Sequence, residues 1–313
     1  MQLKTILVTG AAGGIGWTVT QMLLKKGCQV VAIDDLTTGL ARPELSGLTW
    51  LNADIASPDL PGKLSQYPID GVVHCAARLA DQSMAHPTAD TKTNALGSIQ
   101  IFEWAAGKRV QRVVFTSSSG VYGHPPARPI KESDPAIPAT IYSVNKIACE
   151  NYLRILENGY GLKWTVLRLF PTYGPSHKPS KTQGILNVML TQLMEGNEVV
   201  VKGSLDRVRD LVYVEDTAQA IVDSLHSDAA QGKIFNVSSG TSCTIKEMIY
   251  TIGEVLDRPA SKVQIKELPG TPGDPMYNVA DISLIRETIG FLPKFSLHEG
   301  IKRLVEARRL AKI

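Results

Sequence analysis

Thr5-Ile6-Leu7-Val8-Thr9-Gly10-Ala11-Ala12-Gly13-Gly14-Ile15-Gly16 is the stretch that decides how the rest of the chain is read. Thr5–Thr9 is short, apolar and rich in β-branched residues, the signature of a buried strand. Glycines at the spacing GxxGxxG follow without a linker, and Ile15–Lys26 then reads as a helix closed by Gly27. A strand that turns on glycines straight into a helix presents the helix's first N–H groups. The absent side chains let an anion come up against them. Elsewhere such a run is commonly only a turn; between a strand and a helix it is a phosphate cradle.

Over the first 170 residues apolar runs keep alternating with amphipathic stretches. Strands are expected at Gln29–Asp34, Leu48–Asn52, Gly71–Cys75, Arg112–Ser117 and Trp164–Leu169. Long helices are expected at Pro87–Ala106 and Tyr142–Asn158, the second closed by Gly159. This alternation predicts an α/β fold, a doubly wound parallel sheet of the Rossmann type. Beyond Phe170 the texture changes. Pro171–Thr182 and Pro269–Pro275 read as loops. Between and after them come strands at Glu198–Lys202, Leu211–Val214 and Lys233–Val237, with helices at 185–195, Asp216–Leu225, Ile245–Leu256 and His298–Leu310. The expected division is a cofactor domain of residues 1–170 with about 211–238, and a smaller C-terminal α/β substrate lobe of 171–210 and 239–313.

Asp34 ends the second expected strand about 20 residues past the glycines, where an acid meets the hydroxyls of an adenosine ribose. A carboxylate there repels a 2′-phosphate and Asp35 adds to the repulsion, so NAD is expected rather than NADP. Two solvated turn acids remain the alternative on these residues alone. Tyr142 and Lys146 lie four apart near a helix start, so they share a face. A free tyrosine ionises at about pH 10, and a phenol asked to act as a base near neutrality needs a cation beside it. The strand before that helix ends in Ser117-Ser118-Ser119, which offers a hydroxyl to polarise a reacting oxygen. YxxxK alone is usually a surface pair; after a serine-tipped strand it reads as chemistry.

With these pieces go His74-Cys75-Ala76-Ala77, Ser119-Gly120-Val121-Tyr122-Gly123, Phe170-Pro171-Thr172-Tyr173-Gly174-Pro175, Arg209-Asp210 and Gly273-Asp274, spread over almost the whole chain. In that order they resemble the extended short-chain dehydrogenase/reductases, and within them the NAD-dependent nucleotide-sugar epimerases of the UDP-glucose and UDP-glucuronate 4-epimerase types. By position the resemblance implies Ser118, Tyr142 and Lys146 as catalytic residues. It implies that NAD is bound by Gly10, Gly13, Gly14, Ile15, Gly16, Asp34, Asp35, Asp54, Ile55, Ala76, Ala77, Arg78, Asn94 and Phe170, with Tyr142 and Lys146 at its nicotinamide end. It implies a nucleotide sugar, a UDP-sugar first, on Ser118, Ser119, Tyr142, Thr172, Tyr173, Asn187, Arg209 and Asp274, and a homodimer paired through helices 88–106 and 141–158.

The branches of that family differ by extra residues. The resembling 4,6-dehydratases carry Asp-Glu directly after the catalytic hydroxyl and the decarboxylases a Glu; here Ser119 and Gly120 stand there, and neither is a general acid. Branches that use a Cys near this turn are also excluded, although Cys75 ends the neighbouring strand. What remains is oxidation and re-reduction at carbon 4. The expectation is a 4-epimerase, with an NAD(P)-dependent nucleotide-4-ketosugar reductase as the alternative and another extended short-chain dehydrogenase behind it. An NAD-sensing protein that signals through a partner is the rival outside enzymology, but such proteins lose the Tyr or the Lys. Thr271 stands where the galactose epimerases carry an Arg, which leaves the diphosphate to Arg209 with Arg207 beside it. His74 reads as a packed strand residue and His124 stays open. The basic loop Ser176–Gln183, with His177, Lys178 and Lys181, is either a solvated segment or a reach for a phosphate or sugar carboxylate.

Composition sets the outer limits. A chain 43% hydrophobic and 20% charged is ordinary for a soluble globular protein. A formal net charge of +3 is too small to argue for nucleic acid. No apolar stretch reaches the ~20 residues of a membrane span. Cys28, Cys75, Cys149 and Cys243 form no CxxC pair and read as reduced thiols. With no signal peptide before the first strand, the cytoplasm is expected; no metal site is.

Overall fold

Short apolar runs separated by helices long enough to cross back over them form a parallel sheet. The computed structural model of the chain describes residues 3–40, 43–79, 83–177, 179–180, 183–196, 198–270 and 274–311. The runs expected as strands take up β1 (Thr5–Thr9), β2 (Gln29–Asp34), β3 (Leu48–Asn52), β4 (Gly71–His74), β5 (Arg112–Ser118) and β6 (Trp164–Leu169). With the later β11 (Lys233–Val237) they make a seven-stranded sheet in the order β11-β6-β5-β4-β1-β2-β3. Every pairing in it is parallel, with Thr9 level with Ile33 on one side and His74 on the other. The order reverses between β1 and β4, so a crevice opens at the carboxyl ends of those strands.

Strand residues alternate between two cores. Val8, Ala32, Val73, Val114 and Leu167 pack with α1 (Gly14–Lys25) and with the helix Val214–His226. Leu7, Val31, Val72, Phe115 and Val166 pack on the other face with Ile101, Phe102, Cys149 and Leu153. Each fully buried side chain of this size is worth roughly 1.5–3 kcal/mol, so neither face can slip register cheaply.

The helix expected at Pro87–Ala106 forms in three parts: α3 (Pro87–Thr91), a π-helical stretch Lys92–Gly97 and α4 (Ser98–Gly107). The short helix α2 (Leu60–Leu64), which precedes them, was not expected. One extra residue per turn is invisible to a 3.6-residue periodicity. The helix expected to stop at Asn158 is α5 (Ile141–Tyr160) and runs through Gly159. It stops at Gly161, whose φ of +69° gives the left-handed cap.

A third core, around Leu186, Met189, Leu190, Ile249 and Leu304, belongs to the C-terminal lobe. There the expected loop Pro171–Thr182 contains β7 (Thr172–Tyr173). The expected strand Leu211–Val214 resolves into β10 (Val212–Tyr213) ahead of the helix α7 (Val214–His226), preceded by β9 (Val208–Asp210). β7 and β10 pair in parallel; β8 (Glu198–Lys202) pairs with β13 (Gln264–Leu268); β9 lies between β12 (Ser242–Thr244) and β14 (Tyr277–Asn278). β9, β12, β13 and β14 escape a sequence reading because they are short or largely exposed, and their partners are remote. The remaining helices are α6 (Ile185–Glu195), α8 (Ile245–Val255), α9 (Ser283–Ile289) and α10 (Leu297–Leu310). Among the described residues no helix is long and apolar enough to cross a membrane.

Candidate active site

The glycine turn is built to be approached closely. Gly10 has φ +66°, and a Cβ on it would fall 2.6 Å from the Ala76 nitrogen, so no other residue fits. Gly13 caps α1 without a side-chain hydrogen bond, which leaves the first turn's N–H groups to whatever anion comes to them. Asp34 stands beside this turn: its carboxylate accepts from the Ala12 amide (3.0 Å) and the Leu36 amide (2.9 Å). A bare turn, a helix N-terminus and an acid at the end of β2 together fit an adenosine diphosphate with free ribose hydroxyls.

Asp35 follows Asp34 directly. It is exposed and closes its own turn, accepting from the Thr37 amide (3.0 Å) and hydroxyl (2.7 Å). Asp54 accepts from the Ala56 amide (2.9 Å), with the Lys92 ammonium 3.7 Å away. The Ile55 side chain lies in the core against Gly97, leaving only its backbone for a ligand. The segment after β4 is fixed from both sides. The Ala76 amide donates to Thr9 Oγ1 (3.2 Å), and buried Asn94, from the π-helical stretch, clamps Arg78 by donating to its carbonyl (3.0 Å) and accepting from its amide (2.8 Å). His74 ties β1 to α4: Nδ1 lies 2.6 Å from Thr9 Oγ1 and Nε2 2.9 Å from Ser98 Oγ. Burial, helped by the charge of Lys146, pushes the His74 pKa down to about 3, so it is neutral packing. His124 is exposed.

Ser118 ends β5 and starts a 3-10 turn, Ser119–Tyr122, by accepting from the Gly120 amide (3.1 Å). Thr140 caps α5 by accepting from the Ser143 amide (3.2 Å), and the Tyr142 amide donates to Ser83 Oγ (3.1 Å). One turn on, buried Lys146 donates to the Thr116 carbonyl (2.8 Å) and sits 5.5 Å from the centre of the Tyr142 ring. Ser118 and Tyr142 open onto one cavity of about 140 Å3, with Ser119, Thr140, Ser143, Pro275 and Asn278 also in its wall. A larger cavity of about 430 Å3, between Pro87, Thr88, Thr91, Lys92, Leu96 and Ile141, contains none of these groups. Behind the small cavity Arg168 pairs with Glu150 (2.7 Å), which also accepts from Ser117 Oγ (2.6 Å). Arg168 donates as well to the Tyr122 hydroxyl (3.0 Å), which donates to Asn236 (2.7 Å).

On the lobe side β14 brings Asn278 beside Arg209 of β9. Arg209 donates to Asp274 (2.6 Å), and Arg207, two residues earlier on the same face, pairs with the same carboxylate. Burial, then the charge of Arg207, pushes the Arg209 pKa down to about 10. Two buried guanidiniums on one carboxylate leave a local surplus of positive charge next to the cavity.

Four residues expected at the ligand make contacts within the protein. Tyr173 is a core residue, its ring edge-on to Tyr213 at 5.7 Å and its hydroxyl donating to the Leu297 carbonyl (3.3 Å). Phe170 is 1% exposed, packed with Val121, Tyr122, Ile130 and Ala280. Thr172 donates to the Phe170 carbonyl (3.1 Å). Asn187 accepts from Arg308 and donates to the Gln183 carbonyl (3.3 Å), a tie between α6 and α10. Lys178, Lys181 and residues 271–273, with Thr271 and Gly273, lie outside the described residues. A sequence reading misses Ser83, Pro275 and Asn278, because only tertiary pairing brings them to Tyr142 and Ser118.

A model described as the NAD dependent epimerase/dehydratase family matches residues 6–238. The chain is 34% identical to a UDP-glucose 4-epimerase of Mycolicibacterium smegmatis, over 96% of this chain and 97% of that one. Among solved structures, a UDP-glucose 4-epimerase with UDP-glucose from Thermotoga maritima superposes with a TM-score of 0.93 at 29% identity, covering 99% of this chain and 100% of that one. A Thermus thermophilus UDP-glucose 4-epimerase in complex with NAD gives 0.89 at 29% identity, covering 97% and 99%.

Proposed function

The chain belongs to the NAD dependent epimerase/dehydratase family, and we propose that within it this is a UDP-sugar 4-epimerase that holds NAD. The observation that carries the reading is the pairing of Tyr142 and Ser118 on one small cavity with no acid after the serine. Tyr142 takes the proton of the sugar's 4-hydroxyl while Ser118 holds that oxygen by hydrogen bonding. Lys146, fixed by the Thr116 carbonyl, supplies the positive charge that favours the phenolate. NAD, when bound on Gly10–Gly16 and Asp34, supplies a reversible hydride acceptor at carbon 4. The 4-keto sugar turns about its diphosphate linkage and is reduced on its other face, Tyr142 returning the proton. No net redox follows, so the enzyme's contribution is orientation and charge placement.

Arg209 and Arg207 are assigned to the substrate diphosphate, which suits forked guanidiniums and takes up their surplus charge beside Asp274. Residues 1–170 with about 211–238 are assigned to the cofactor, and 171–210 with 239–313 to the nucleotide sugar. The reading includes a homodimer and a compartment that keeps all four cysteines reduced, the cytoplasm.

Proton NMR of the protein with NAD and, in turn, UDP-glucose, UDP-N-acetylglucosamine and UDP-glucuronate tests this. A new anomeric signal growing to equilibrium identifies the sugar. Tyr142→Phe should slow its growth by roughly 10²–10⁴-fold, the usual worth of a general acid–base group. NADH accumulating in proportion to substrate, or no change with any of the three sugars, would overturn the UDP-sugar epimerase reading.

A further inference from the structure

Gly14 opens α1 with ordinary backbone angles, so no turn geometry calls for glycine there. Space does. A Cβ on Gly14 would fall 2.6 Å from Cγ of His177 and 2.7 Å from both Cδ2 and Cε1. Near-equal distances to three ring atoms put the face of the imidazole on the bare glycine. The ring arrives on a strap, Gly174–His177, that leaves β7 of the C-terminal lobe. Gly174 is wedged beside Val214, whose Cβ would lie 2.9 Å from a Gly174 Cβ. The strap turns on the His177 amide donating to the Gly174 carbonyl (3.2 Å). Thr18 of α1 places its hydroxyl 3.1 Å from the Ser176 hydroxyl and 2.8 Å from the Gly14 carbonyl.

The strap is thus tied at both ends and delivers one side chain to the first turn of α1. Gly13, Gly14, Ile15 and Gly16 bring no charge of their own to that turn. An imidazole donates to an anionic oxygen whether neutral or protonated. We propose that His177, seated on Gly14, contacts the diphosphate of the bound cofactor and sets how tightly the cofactor is retained, and that residue 14 is glycine to admit that ring. The proposal rests on the cofactor site assigned above. It makes a residue of the substrate-side strap part of the cofactor's hold, which suits an enzyme whose cofactor finishes each turnover unchanged.

A double-mutant cycle read by calorimetric titration of NAD into the cofactor-stripped full chain tests it, with thermal midpoints of the ligand-free proteins as the folding control. His177→Ala should weaken NAD roughly ten- to hundredfold, the loss of one hydrogen bond to a charged group. Gly14→Ala should weaken it similarly by pushing the ring off its seat. The double variant should be no weaker than His177→Ala alone, because the obstruction is gone. His177→Gln, which keeps a donor, should recover part of the loss. Wild-type affinity in His177→Ala, tighter binding there, or additive losses in the double variant would each overturn the proposal. A wild type that binds no NAD overturns the cofactor site instead, a different result from the same titration.

Discussion

His74 shows how far one residue's surroundings can carry it from its ordinary chemistry. It lies between the rings of Phe102 and Phe115, with both nitrogens engaged. Burial, and then the charge of Lys146, lowers its pKa from 6.5 to about 3. Between those values the unfolded chain binds a proton that the native chain refuses, so stability is undiminished above about pH 6.5 and falls as pH drops. The slope is at most about 1.4 kcal/mol per pH unit. Urea midpoints at pH 7 and pH 5 should therefore show His74→Gln losing roughly 2 kcal/mol less than wild type over that interval. Equal losses in the two proteins would mean that His74 titrates normally in the fold. The same residue scale separates what was legible from what was not. Ser118, Tyr142 and Lys146 can be picked out because strand end and helix spacing are local facts. Tyr173 and Phe170 sit in motif positions, yet their rings turn into cores. The facing of Tyr173 follows from β7 pairing with β10, some forty residues away in sequence, far beyond the roughly 11–18 residues over which a local pattern is read.

At the scale of elements, α5 is keyed to β5 by successive turns: Lys146 donates to the Thr116 carbonyl and Glu150 accepts from Ser117. Arg168 of β6 completes the lock on Glu150. All three strand-side groups are interior, so the pair fixes the register that sets Tyr142 against Ser118. Glu150→Ala strands the Arg168 guanidinium without its carboxylate, and should cost about 3–5 kcal/mol in urea unfolding. Adding Arg168→Met should restore part of that loss, since an apolar pair replaces a buried ion pair at little net cost. A loss under about 1 kcal/mol for Glu150→Ala, the range of an exposed ion pair, would show that the helix is held by its apolar face alone. Element ends were less legible than element cores. Gly159 and Gly161 are equally plausible stops by composition, and only the left-handed conformation at 161 distinguishes them. The π-helical turn that carries Asn94 to Arg78 has no local marker in the 3.6-residue pattern, and its last residue, Gly97, packs closely against Ile55.

For the whole molecule, the main sheet was readable since each of its strands is apolar and bounded, whereas the lobe's short pairs depend on contacts between distant segments. The proposed homodimer is implied in the sequence only by the family resemblance, not by strand or helix patterns, and what the fold leaves exposed is where it can be tested. On α5, Val144 (48% exposed) and Ile155 (64%) stand eleven residues apart, three turns along one face. Leu96, 55% exposed, lies across the cavity of about 430 Å3 between Ile141 and Pro87–Lys92. In the proposed homodimer these large apolar side chains form the contact surface, and a second copy of the chain would present the same patch about a twofold axis. Sedimentation at micromolar concentration should then give twice the chain mass. Val144→Glu with Ile155→Glu should halve it, because each charge would be buried unpaired against its copy. Val144 is two residues from Tyr142, so losing the partner would loosen the helix that carries the proposed base. The monomeric variant should therefore lose turnover together with thermal stability. A wild type that sediments as a monomer would reduce Leu96, Val144 and Ile155 to ordinary surface residues and leave α5 to be steadied by Glu150 and Arg168 alone.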